Sequence, residues 1–311
     1  MFDFLNFSKK KNILKYIDCF YDEEKAKSYY DSDEKLFDLY HNTEVKNFPL
    51  ALHYACLFKR EKFIEKIIDN GNINQLDSNG YNCLHYLSYW DIFSLKYKNT
   101  KHRELMVTNG FLWMAEAFGG QEKSYDEMNG FWQWGDDKDL INIAKKLIDK
   151  GVDINKQSDS WRQTPLMTAL RCGFWSNPII NSDGNDFVRF LISQGAKTDV
   201  WSCLEGDFES LLFYVNVFQS NIIYGEDRFE IFKFLYEHGA PIELDDELEV
   251  DNLGTKGFQF NLDLLDNYYT LPDEHSLADK EWFEKNDKKI VEFILANCRK
   301  NKHNEKYFNL I

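Results

Sequence analysis

The chain has 311 residues, 43% of them hydrophobic and 16% aromatic, and carries a net charge of −15 at neutral pH. That length can bury a sizeable core, either as two ordinary domains or as one elongated array. The acidity argues against nucleic acid and anionic membranes as partners and for a basic one, beside the solubility that any large net charge brings. Six cysteines are scattered with no C-x-x-C pair and no histidine at metal-ligand spacing, so no zinc site and no cofactor are expected, and a reduced cytoplasmic setting is.

The first residues, MFDFLNFSKKKNILKYI, mix apolar and basic groups, with too short an apolar run for a secretory signal. No stretch reaches the length of a membrane span. Residues 1–48 are predicted to form an N-terminal helical cap, with Leu36, Phe37, Leu39 and Tyr40 as its clearest apolar face. From Pro49 the pattern sharpens. Ala51, Leu52, Ala55 and Cys56 share one helical face, and Phe63, Ile64, Ile67 and Ile68 share another after the charged break Lys59-Arg60-Glu61-Lys62. Gly71 is placed to end that second helix, and Asp77-Ser78-Asn79-Gly80 reads as a tight turn. Leu84-His85 then repeats Leu52-His53 after 32 residues.

The second copy breaks off at Tyr89-Trp90, and its outer helix, LINIAKKLIDKGVDIN, is not met until Leu140. The insertion between them, 91–139, is rich in aromatics and has a predicted helix from Glu104 to Phe118 at its centre. Insertions of that length in compact domains tend to be functional. Thr164-Pro165-Leu166-Met167-Thr168-Ala169 opens a third copy, a shorter insertion spans 174–186, and FVRFLISQGA closes at Gly195. Ser210-Leu211-Leu212 and EIFKFLYEHGA, ending at Gly239, make a drifted fourth copy. A fifth has an inner helix predicted near Phe258 to Asn267 and its outer helix from Ile290, and a polar tail occupies 299–311.

These copies resemble the ankyrin repeat, whose period is about 33 residues and whose signature is a turn, a T-P-L-H-x-A helix and a second helix. The resemblance implies an all-α fold: an ankyrin-type helical-repeat solenoid of about five irregular repeats over 49–298, with an N-terminal cap and long inter-helix insertions. It also implies that His53 and His85 are structural, and that turn tips and inner-helix ends line a concave binding surface. Position by position, that surface comprises Ser78, Asn79, Tyr81, Tyr89 and Trp90 in the second copy, and Ser160, Trp161, Gln163 and Arg171 in the third. Glu205, Phe208 and Asn216 follow in the fourth, and the acidic run at Asp245, Asp246 and Glu247 projects toward the same groove. Alternatively, Trp90 and Trp161 pack beneath the aromatic insertion.

The scaffold carries no reaction, and neither a phosphate loop nor a nucleophile elbow is present. The expected function is therefore non-catalytic protein binding by a monomer or a one-to-one complex, as an acidic inhibitor or immunity-type protein that neutralises a basic partner such as a toxin. Two alternatives stand beside it: a bacterial or viral effector that hooks a host protein, and an enzyme whose site includes Asp126 or Asp136 in the first insertion.

Overall fold

The computed structural model describes residues 7–21, 33–69, 72–89, 100–110, 112, 137–159, 161–173, 184–204, 207–212, 215, 228–242 and 288–297. The fold is all-α: among these residues the regular structure is helical apart from one small hairpin of two three-residue strands. The chain divides into two compact units, one of Met1–Asp159 with Trp175–Ile180, the other of Ser160–Phe174 with Asn181–Ile311.

In the first unit, α1 (Phe7–Tyr21), α2 (Asp33–Tyr40) and α3 (Thr43–Lys46) form the expected helical start. They pack on one another, and α2 also packs on α5 (Glu61–Ile67). The aromatic residues explain why this start covers the next helices. The Phe63 ring of α5 lies against Tyr16, Phe37 and Tyr40, while the Tyr16 hydroxyl donates to the carbonyl of Ala51 at 2.8 Å. Burying such rings contributes about 2 kcal/mol each, far more than the single hydrogen bond.

Helix α4 (Ala51–Leu57) and α5 form a hairpin closed at Lys59, which takes φ +53°. There the amide of Arg60 donates to Ala55 and that of Lys59 to Cys56, a left-handed helix closure made by a residue other than glycine. The Lys59 ammonium donates to the carbonyls of Leu57 at 3.2 Å and Tyr89 at 3.5 Å, so the charged break is tied down rather than solvated.

Beside α4 packs α6 (Cys83–Ser88), and every residue of both helices is buried. Helix α8 (Asp137–Asp149), which follows the long insertion, packs on α6 and on α5. It therefore lies beside α6 although the long insertion separates the two in sequence. Lys146 of α8 pairs with Glu61 at 2.6 Å and with Glu65, and Lys150 pairs with Asp69, which links α8 to α5 and the turn after it across 81 or more residues of sequence.

In the second unit, α9 (Pro165–Gly173) packs on α10 (Gly184–Ser193), and Leu166, Met167, Leu170, Phe187 and Leu191 of the two helices are buried. Helix α10 starts two residues before the predicted end of the short insertion. Helix α11 (Arg228–Glu237) packs on α12 (Lys288–Asn297), with the Phe293 ring edge-on to Phe229, Phe232 and Tyr236. Strands β1 (Ser202–Leu204) and β2 (Asp207–Glu209) pair antiparallel, Cys203 opposite Phe208.

Helices α8, α10 and α11 end alike. Gly151, Gly195 and Gly239 have φ of +89°, +95° and +96°, and the next amide in each case reaches back to the carbonyl five residues earlier, Val152 to Leu147, Ala196 to Leu191 and Ala240 to Leu235. This six-to-one closure needs a left-handed residue, where glycine has no side chain to strain. The predicted counterpart at Gly71 and the predicted inner helix at Phe258 to Asn267 lie outside the described residues.

Candidate functional site

The motif positions act first as helix starts. Asn82 Oδ1 accepts from the amides of Leu84 and His85, while the Asn82 amide lies 3.2 Å from His85 Nδ1, a reciprocal capping box. Thr164 Oγ1 accepts from the Met167 amide at 3.3 Å, and Ser210 Oγ from that of Leu212 at 3.2 Å. His85 is thus a buried capping residue. His53 differs: it is buried, its ring stands edge-on to Tyr86 at 5.0 Å, and neither ring nitrogen has a hydrogen-bond partner. Burial lowers its pKa to about 4, so it is neutral at physiological pH.

The turn before α6 is built on Asp77. Its Oδ1 accepts from the amides of Asn79 at 2.9 Å and Tyr81 at 3.0 Å, its own amide donates to the Tyr81 carbonyl, and Oδ2 accepts from the Tyr86 hydroxyl at 2.8 Å. Burial raises the Asp77 pKa to about 6, although all three donors favour the anion. Gly80 has φ +81°, and a Cβ there would stand 2.6 Å from the Asp159 side chain. Glycine is needed twice over, for the backbone and for the approach of the next turn, whose Asp159 amide donates to the Asn79 carbonyl at 2.7 Å.

The predicted surface residues of the first unit do not share one fate. Ser78 is exposed, and Asn79 and Tyr89 are half-buried. Tyr81 is 1% exposed with its ring against His85, so it packs the interior instead of presenting an anchor. In the second unit, Trp161 is half-buried and its carbonyl accepts from the Cys203 amide at 2.9 Å, next to Arg162 at φ +53°. Gln163 is 5% exposed, Arg171 lies within α9, and Phe208 sits in β2 opposite Cys203. Trp90, Ser160, Glu205, Asn216, Asp245, Asp246 and Glu247 lie outside the described residues, as do Asp126 and Asp136.

The sequence offered the insertion as a packing element but not the contacts that its helix makes. Its central helix, α7, runs Thr100–Asn109, earlier than predicted, because Gly110 at φ +89° closes it with an amide donated to the Met106 carbonyl at 3.1 Å. The dipeptide Asn109-Gly110 is a stop signal that could have set this end. The helix packs on α1, and Gly110 after its last turn lies close to the Tyr86 hydroxyl and Asp77. The Tyr54 hydroxyl donates to the Met106 carbonyl at 3.0 Å and Ser78 Oγ to the Asn109 carbonyl at 2.9 Å. The last turn of α7 thus lies against Tyr54 of α4, Tyr86 of α6 and the Asp77 turn.

Among the described residues, no group of three His, Cys, Asp or Glu comes together to hold a metal ion, and no helix is long and apolar enough to cross a membrane. No protein-family model matches the chain, and comparison with curated proteins returns no match.

Proposed function

We propose that the chain is an ankyrin-type repeat solenoid whose function is non-catalytic binding of a basic protein, in the manner of a cytoplasmic inhibitor or immunity protein. The observation that carries this reading is the recurrence of one local design. Capped inner helices begin at Asn82, Thr164 and Ser210, and outer helices close identically at Gly151, Gly195 and Gly239. Such units stack to bury a continuous core and leave their turns and helix ends to bind. The net charge of −15 supports a basic partner, because long-range attraction raises the rate of encounter.

The test is affinity capture from the native cell at low ionic strength, followed by measurement of the mass of the recovered complex. One basic protein in a one-to-one complex, encoded beside this chain, is the expected result. Recovery of a host protein instead would favour an effector. Turnover abolished by Asp126→Asn or Asp136→Asn would place the function in an enzyme and overturn the binding reading.

A further inference from the structure

We draw no further inference here: the strongest candidate, the buried side-chain cluster of His53, Tyr86 and Asp77 where α4 meets α6 and the turn before it, belongs to the site already described, and nothing in the structure shows a ligand or partner reaching it.

Discussion

Asp77 and His53 should set opposite pH dependences in one buried cluster, and Asp77→Asn separates them. The Asp77 carboxyl is raised from 3.8 to about 6, chiefly by burial, so the folded state holds its proton where the unfolded state has lost it. Its contribution to stability is full below about pH 4 and is lost as pH rises through 6, a change of roughly 3 kcal/mol at about 1.4 kcal/mol per unit. His53 is lowered from 6.5 to about 4, also by burial, so its contribution is full above pH 6.5 and is lost as pH falls toward 4, by a similar amount. In the parent chain the two slopes nearly cancel between pH 4 and 6. Asparagine keeps an oxygen for the amides of Asn79 and Tyr81 and has no charge to bury. Urea unfolding at a series of pH values should therefore show the variant gaining stability steadily from pH 4 to 7, relative to the parent, by about 3 kcal/mol. His53→Gln should tilt the profile the other way. Parallel profiles for parent and Asp77→Asn would refute the buried-carboxylate reasoning.

Gly195→Val should cost about 1 to 2 kcal/mol, measured as a lower unfolding midpoint, because the site has φ +95° and an added Cβ meets no neighbour, so backbone strain is the whole effect. Lys146→Ala removes contacts to Glu61 and Glu65, but Lys146 is itself about a third exposed. Its loss should lower stability by less than about 1 kcal/mol at low salt and by an immeasurable amount near 1 M salt, read from unfolding midpoints in both conditions.

The parts of this fold that could be read from sequence are those decided by a few neighbouring residues. Gly195 and Gly239 mark helix ends because left-handed backbone is a local property, and Thr164-Pro165-Leu166 marks a helix start because the cap, the fixed proline φ and the first core residue are contiguous. The pairing of α8 with α6 across the insertion was legible too, since the motif was left without its second helix until Leu140. The surface was harder. Tyr81 looks like an exposed turn residue, yet it is buried with its ring against His85. Tyr54 looks like one more core residue of an inner helix, and nothing near it in sequence indicates that its hydroxyl meets Met106, 52 residues away. The division into two units at Asp159 is equally invisible, because the turn there carries the same polar residues as a turn inside an array.

The binding function is tested most directly by the rate constants for the captured partner. Reversing Asp245, Asp246 and Glu247 to Lys should slow association at least tenfold and flatten its dependence on salt, with dissociation little changed. Trp161→Ala should instead speed dissociation by about thirtyfold, the equivalent of about 2 kcal/mol for a buried aromatic anchor. If neither change weakens binding tenfold, the partner does not use the predicted groove, and the insertion from Asp91 to Asp139 becomes the binding surface.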